Sequence, residues 1–435
     1  MTANVAGLRA WLLAGTMAGM FAAAWPAAAQ QAPSSTAPAT AAPAAPASAP
    51  TQAAKPPPPS WMQGAPTTAD TSHLAPNVAS PLPTPAAKLP VALFKVPKNF
   101  HVEVFASGMP NARSLRVGDK GTVFVSTRVL GRVYAITDKN GKHEVKTLWS
   151  DLHWPNGIVL HNGTLYIADQ SKILKADNIE AQLDNPPKPT VIYSDLPSYD
   201  PHGWKFLTIG PDNRLYFNVG APCNICMPPD GTAQLRSINL DGSDPQVVAR
   251  GIRQVVGLDF NPVSKVLYFT ENQRDWLSED EPNDKLNRLL HPGKDNFGYP
   301  YCDGGDIPDT IYGWGHSCND FTKPIAQLGA HAAPLGLRFY TGRMFPKEYH
   351  DALFIALHGS WNKTKKNGGM VVVARLNGDG SVRSITPFMT GFLQDNKYIA
   401  RPVDIEWLKD GSMLVSDDWN GAVYRVSYGG PHQTA

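Results

Sequence analysis

His202 lies in "DPHGWKFLTI", behind a proline and ahead of a glycine and a tryptophan, just before a short apolar run. An ionisable ring on a stiffened loop at the lip of a strand is well placed to move a proton, because rigid sheets present reactive groups on their loops. Similar polar residues stand beside other apolar runs: Asn156 in "HWPNGI", Arg253 and Gln254 in "GIRQVVGLDF", His358 in "ALHGSWNK" and Arg401 in "YIARPVDIEW". "TENQRDW" leaves a further run with a series of oxygen donors. Taken singly, each residue is ordinary, since a lone arginine is a surface charge and a lone histidine a hydrogen-bonded side chain. Taken together they meet one demand. Oxidising a sugar alcohol or hemiacetal needs a base for the hydroxyl proton and an acceptor for the hydride. A dinucleotide acceptor is not expected, because G-x-G-x-x-G is absent and no strand–helix–strand units are seen. Arginines, amides and a divalent ion on one face of a β-fold would suit a small polyanionic quinone.

The strands that must carry these residues repeat along the chain. "GTVFVST" (121–127), "GTLYIAD" (163–169), "NRLYFNV" (213–219), "KVLYFTE" (265–271), "DALFIAL" (351–357) and "GSMLVSD" (411–417) share one pattern, a turn followed by apolar residues and then a polar one. Their spacing is mostly that of β-propeller blades, so an all-β, six-bladed β-propeller is expected. The early "FHVEVFA" and the terminal "AVYRVSY" are expected to share one blade and close the ring. The longest gap holds an insertion, "RDWLSEDEPNDKLNRLLHPGKDNFGYPYCDGGD". A β-sandwich rarely needs so many residues with so few helices, and the chain lacks the stripes of a helical solenoid.

The ends and the composition bound what such a propeller could do. Residues 1–29 hold one basic residue, Arg9, then an apolar stretch through Trp25 and Ala27-Ala28-Ala29, the layout of a cleavable export signal. The stretch is short and rich in alanine, with no basic stop-transfer flank, so cleavage is expected over a membrane anchor. Residues 30–90 are rich in Pro, Ala, Ser and Thr and are expected to form a disordered linker, leaving residues 91–430 for the propeller. Lys+Arg 39 against Asp+Glu 37, with no basic block, excludes nucleic acid as an expected partner. Four cysteines, Cys223, Cys226, Cys302 and Cys318, fit two local structural disulfides in an exported chain. "CNIC" has no second C-x-x-C to complete a zinc site, and no histidine follows Cys226 for haem attachment. The acidic run "SEDEPND" reads as a solvated loop, since it lacks the donor spacing and turn glycine of a calcium loop.

From about residue 95 to 430 the chain resembles the soluble quinoprotein glucose/sorbosone dehydrogenase family, and within it the L-sorbosone dehydrogenase-like branch. The motifs that carry the resemblance include "HGWKFLTIGPDNRLYF", "IRQVVGLDF", "LYFTENQRDW", "LNRLLHPGKDNFGYPYC", "APLGLRFYTGRMFP", "ALHGSWN" and "ARPVDIEWLKDGSMLVSDDWNGAVYRV", which keep their order over every blade. The resemblance implies a propeller that binds pyrroloquinoline quinone (PQQ) and Ca²⁺. By similarity His202 matches the catalytic base, and Arg253 the arginine beside the reactive quinone carbonyl, where charge develops. Arg401 matches an arginine that pairs with cofactor carboxylates, a role suited to a bidentate guanidinium. Gln254 stands where glucose-oxidising members have asparagine, and Asn156 falls at a loop that lines the pocket. His358, with Lys363 nearby, occupies the place of a cofactor-binding lysine. Calcium in this family takes backbone carbonyls from the loop leaving the fourth strand, which maps onto Gln273 and Arg274. Pro201 stands where glucose-specific members have an acidic residue, and "APCNIC" replaces a polar loop.

The reading that follows is a periplasmic oxidoreductase of an aldose or aldosone, passing electrons to a respiratory quinone or cytochrome. An uncleaved signal would hold it near the membrane. Two other readings use the same fold: a metal-dependent lactonase, for which Asp404 and Asp417 near strand ends are the available acids, and a propeller that only binds.

Overall fold

In the computed structural model, residues 62–67, 74–76, 78, 80–194, 196–198 and 201–429 are described, and the expected export signal at 1–29 lies outside them. Six antiparallel four-stranded sheets succeed one another along the chain. Blade 1 comprises Leu115–Val117, Val123–Ser126, Val133–Lys139 and Lys142–Trp149, and blade 2 Gly157–His161, Thr164–Ala168, Ile173–Ala176 and Thr190–Tyr193. Blade 3 comprises Leu207–Ile209, Arg214–Val219, Gln234–Asn239 and Gln246–Arg250, and blade 4 Gly257–Phe260, Leu267–Glu271, Asn283–Leu289 and Ala326–Ala330. Blade 5 comprises Pro334–Phe339, Leu353–Leu357, Met370–Leu376 and Val382–Met389. Blade 6 takes three strands from the end of the chain, Pro402–Trp407, Met413–Asp417 and Ala422–Tyr428, and its fourth, Phe100–Ser107, from the beginning.

All six strands of the sequence repeat are the second strands of their blades. Their turns explain why. Gly121, Gly163, Asn213, Lys265, Asp351 and Gly411 all take positive φ just ahead of the second strand, which folds it back on the first. Glycine, asparagine and aspartate tolerate that region; Lys265 is the exception, held there by the tertiary fold. The first strands line the channel and touch one another around the ring. The second strands are buried on both faces, as in Val123–Ser126, where every residue is buried. The core is accordingly a series of layers between blades. Phe124, Val133 and Ala135 of blade 1 pack on Ile158, Leu165 and Ile167 of blade 2, and equivalent apolar layers fill the next gaps.

The ring closes as expected, with Phe100 opposite Tyr428 and Ser107 opposite Ala422 in one antiparallel ladder. Joining the two ends of the chain in one sheet leaves short, protected edges. Phe94, just ahead, packs on Phe392 and Tyr424 at centroid distances of 4.5 and 4.8 Å, and Lys95 and Thr390 exchange backbone hydrogen bonds.

Two boundaries differ from expectation. The linker expected through residue 90 gives way earlier, because the Thr84 amide and hydroxyl donate to the Asn420 carbonyl and Oδ1 at 2.9 and 2.8 Å. The two Thr84 hydrogen bonds, together with Leu89 packed against the core, hold this proline-rich piece on the ring. The insertion is also shorter than its sequence suggests. Asn283–Leu289 within it is the third strand of blade 4, and the true excursion runs from there to the fourth strand at Ala326. Disulfides join Cys302 to Cys318 inside that excursion and Cys223 to Cys226 after the second strand of blade 3.

Candidate active site

Two sets of loops meet at one end of the channel: those that precede the first strand of a blade, and those that follow the second. His202, Arg253 and Arg401 come from the first set, and Gln273, His358 and Asp418 from the second. They enclose a cavity of about 470 Å³, whose lining includes four arginines (Arg113, Arg128, Arg253, Arg401) and four tryptophans (Trp154, Trp204, Trp361, Trp419). That volume suits a small ligand.

The His202 loop is held by its own backbone. Nδ1 lies 2.7 Å from the Ala221 carbonyl, and since a carbonyl only accepts, Nδ1 carries the proton. Nε2 therefore keeps its lone pair, as a proton acceptor must. The Trp204 indole donates to the Pro201 carbonyl at 3.0 Å, and the fully buried Lys205 ammonium donates to carbonyls of Gln170, Pro197 and Gly203, which ties the loop from below. Burial pushes Lys205 down to about 7. Gly220 passes directly behind the ring: a Cβ there would lie 2.7 Å from the His202 Cβ and closer still to Gln254 Oε1. Burial first, and then the Arg253 and Arg128 charges, hold His202 well below the usual histidine range, so the neutral base prevails at neutral pH.

Arg253 is gripped on several sides. Its backbone amide donates to Glu271 Oε1 at 3.0 Å, Nε to the Asn224 carbonyl at 2.8 Å, and Nη2 to Asn224 Oδ1 and Asp275 Oδ2 at 2.8 and 3.2 Å. Nη1 donates to the Asn272 carbonyl at 3.3 Å, which leaves one guanidinium hydrogen for a ligand. Glu271 is itself fixed by Lys285 at 3.0 Å and Asn287 at 2.8 Å, all three fully buried. Asp284, on the cavity wall, accepts from the Gln273 and Ala333 amides at 2.8 Å each, yet burial still raises it to about 7.

Opposite lies a second cationic group. The Asp418 carboxylate accepts from Arg113 Nη1 and from His358 Nε2, both at 2.8 Å. Burial alone would raise Asp418, but the His358 hydrogen bond and then the Arg113 and Arg401 charges hold it well below the usual carboxylate range. Burial and the Arg401 charge press His358 down to about 4 despite Asp418, so the ring is neutral. Arg401 stacks on Tyr398 at 4.8 Å and donates to the His358 and Gly359 carbonyls at 3.1 and 2.6 Å. Arg113 lies over Trp204 at 4.8 Å, and its Nη2 is buried with no hydrogen-bond partner among the described residues. An unsatisfied buried guanidinium nitrogen on a cavity wall is what an anionic ligand would complete. Cations for carboxylates and tryptophan side chains on the same wall fit PQQ, a planar tricarboxylated quinone.

Of the residues expected from sequence, His202, Arg253, Gln254, Gln273, His358 and Arg401 line the cavity and three others do not. Asn156 is fully buried behind the wall, where its Oδ1 accepts from Arg113 Nε at 2.9 Å and its Nδ2 donates to the Lys205 carbonyl at 3.0 Å; it positions Arg113 rather than a ligand. Lys363 is drawn away by the acidic run, with Nζ on the Glu279 carbonyl and 2.8 Å from Asp280 Oδ1. The Arg274 side chain turns behind the wall to Asp309. Among the described residues no hydrogen bond reaches the carbonyls of Gln273 or Arg274, and no group of three or more His, Cys, Asp or Glu is arranged to hold a metal. Asp404 and Asp417, the acids a lactonase would need, serve the framework: Asp404 pairs with Arg116 at 3.2 Å, and Asp417 accepts from Asn420, Tyr424 and the Arg401 amide.

Sequence reading missed Arg113, Arg128, Asn224 and Asp418. Blade register holds a signal for three of them, since "NARSLRV" precedes a first strand as "GIRQVVGLDF" does, while Arg128 and Asp418 follow second strands as His358 does.

A family profile described as TrAA12-like matches residues 94–311 and 313–429. An uncharacterised protein of Borreliella burgdorferi is 34% identical over 351 residues, covering 77% of this chain and 90% of its own length. A pyrroloquinoline quinone-dependent pyranose dehydrogenase of Coprinopsis cinerea is 24% identical over 400 residues, covering 76% of this chain and 54% of the enzyme, so the chain spans about half that enzyme's length. The structure of the holo form of the pyranose dehydrogenase PQQ domain from Coprinopsis cinerea superposes with a TM-score of 0.67 at 22% identity, covering 79% of this chain and 98% of that domain, and at this identity shows a shared fold.

Proposed function

The chain belongs to the TrAA12-like family, and from that premise we propose that it is a PQQ- and Ca²⁺-dependent dehydrogenase of an aldose or aldosone, sorbosone-like in type. One observation carries the reading: His202 presents an unprotonated Nε2 to a cavity that also holds four arginines, one with an unsatisfied buried nitrogen. The similarity to a pyranose dehydrogenase supports it.

The chain's own residues divide the work. His202 Nε2 takes the proton of the substrate hydroxyl as the carbon's hydrogen departs with its electron pair. Bound PQQ would supply the two-electron acceptor for that hydride, with Ca²⁺ on the carbonyls of Gln273 and Arg274 as a Lewis acid. Arg253, with one guanidinium hydrogen unused, stabilises negative charge as it develops beside the base. Arg401 and Arg113 hold carboxylates, and the tryptophans exclude water and flank flat or ring-shaped ligands. The neutral His358, fixed by Asp418, offers polar contact without adding charge. Export to the periplasm, through the signal at residues 1–29, and electron delivery to a respiratory quinone or cytochrome complete the proposal.

The test is reconstitution of the full chain, metal-stripped, with PQQ and Ca²⁺ separately and together. Dye reduction is followed over aldoses, sorbosone and simple alcohols. Reduction that requires both additions and a sugar is the expected result; failure to bind PQQ would end the reading.

A further inference from the structure

The residues just ahead of the propeller reach the site. Gln63 spans the Cys223–Cys226 loop: its Oε1 accepts from the Asn224 and Ile225 amides at 3.0 and 3.4 Å, and its Nε2 donates to the Ile225 carbonyl at 2.7 Å. The Gln63 carbonyl accepts from Asn224 Nδ2 at 2.8 Å, so one residue engages both the backbone and the side chain of Asn224. The disulfide closes the same loop, which lowers the freedom that these contacts must overcome. Asn224, only 1% exposed, passes the constraint inward. Its carbonyl and its Oδ1 accept from Nε and Nη2 of Arg253, each at 2.8 Å, so a single residue takes one whole edge of the guanidinium. The Asp275 amide donates to the same Oδ1 at 2.7 Å, and Asn224 Nδ2 also donates to the Asp275 carbonyl at 3.0 Å, which locks the side-chain amide in one orientation. Pro76 and Val78, from the same stretch, line the cavity itself.

We propose that Gln63 and Asn224 form a brace that fixes the Arg253 guanidinium at the cavity wall, so that the stretch preceding the propeller is a positioning part of the active site. The inference rests on the reading of Arg253 as the cation beside His202. An arginine side chain is long and rotamer-rich, and a base beside a wandering charge has neither a fixed pKa nor a fixed partner in the transition state. A ladder of hydrogen bonds running from Gln63 through Asn224 to one guanidinium edge removes that freedom without using the edge a ligand needs.

The test reads the position of Arg253 without requiring turnover. The imidazole of His202 is titrated by NMR in histidine-labelled, full-length apo protein, for the wild type, Arg253→Ala, Gln63→Ala, Asn224→Ala and the Gln63→Ala/Arg253→Ala double variant. Arg128, which also faces His202, is unchanged in all of them. Because the Arg253 charge depresses His202, Arg253→Ala raises its titration midpoint. Gln63→Ala and Asn224→Ala raise it part of the way, and Gln63→Ala adds nothing once Arg253 is gone. In the reconstituted protein Gln63→Ala lowers kcat/KM about threefold to tenfold, the scale of one or two hydrogen bonds. Gln63 is exposed, so its truncation costs no core packing and carries the test even if Asn224→Ala fails to fold. A wild-type midpoint in Gln63→Ala beside a raised one in Arg253→Ala refutes the brace alone. A Gln63→Ala effect that persists without Arg253 refutes it as well, showing a general loosening. An unmoved midpoint in Arg253→Ala removes the premise itself, and the proposal with it.

Discussion

Glu271→Gln separates the framework from the chemistry. Glu271 ends the second strand of blade 4, fully buried, with Lys285 Nζ at 3.0 Å and Asn287 Nδ2 at 2.8 Å on Oε2 and the Arg253 amide at 3.0 Å on Oε1. The substitution keeps volume and shape but removes the charge. It leaves the fully buried Lys285 ammonium without an anionic partner, with the neutral Phe297 carbonyl at 3.0 Å as its other contact. Removing one partner of a buried ion pair costs about 3–5 kcal/mol, because the other charge stays out of water uncompensated. At about 2 °C per kcal/mol for a domain of this size, the melting temperature should fall by about 6–10 °C. An amide has one acceptor oxygen where the carboxylate had two, so it cannot serve both the Lys285 and Asn287 donors on one side and the Arg253 amide on the other, and turnover falls with stability. Adding Lys285→Met to Glu271→Gln should recover most of the stability, since an apolar chain of similar volume needs no partner. Urea unfolding of the apo proteins measures all three. A Glu271→Gln variant within about 1 kcal/mol of wild type would refute the reasoning, as would a double variant no more stable than the single one.

Three further outcomes follow from the geometry. His202 is held well below the usual histidine range by burial and by Arg253, and a base works only when unprotonated; the acid limb of kcat/KM should therefore lie below pH 6.5, with a flat profile through neutrality. A limb centred at or above pH 6.5 would contradict the assignment of cause. Arg401→Lys keeps a charge but loses the fork that reaches the His358 and Gly359 carbonyls, and PQQ affinity measured by tryptophan quenching should drop about 10- to 100-fold. Gly220→Ala drives a methyl to 2.7 Å from the His202 Cβ and closer still to Gln254 Oε1, so the loop must move. Turnover should fall more than PQQ binding does.

The blades were legible because their signal is local. Six turns with glycine, asparagine, aspartate or, at Lys265, a plain residue in the left-handed region all precede a second strand, and each strand is apolar because a blade covers either face. His202, Arg253 and Arg401 could be found because they flank those strands. Asn156 and Lys363 misled because neighbours in space, not in sequence, claim them: Asn156 faces the Arg113 guanidinium, and Lys363 faces the acidic run. Asn224 and Gln63 were hidden for a related reason. One lies in a loop whose cysteines read as a structural disulfide, and the other in a stretch whose composition reads as tether. Their roles depend on hydrogen bonds between distant parts of the chain, with separations of 161 and 162 residues, which no local pattern encodes.

The most direct test of the account uses His202→Gln, a change that removes the Nε2 base and spares the cationic wall. PQQ and Ca²⁺ are titrated into the variant and the wild type, and dye reduction is then measured with the best sugar from the panel. PQQ affinity should stay close to wild type and turnover should be about 10²- to 10⁴-fold lower. Wild-type turnover in His202→Gln, with the cofactor bound, would contradict the account.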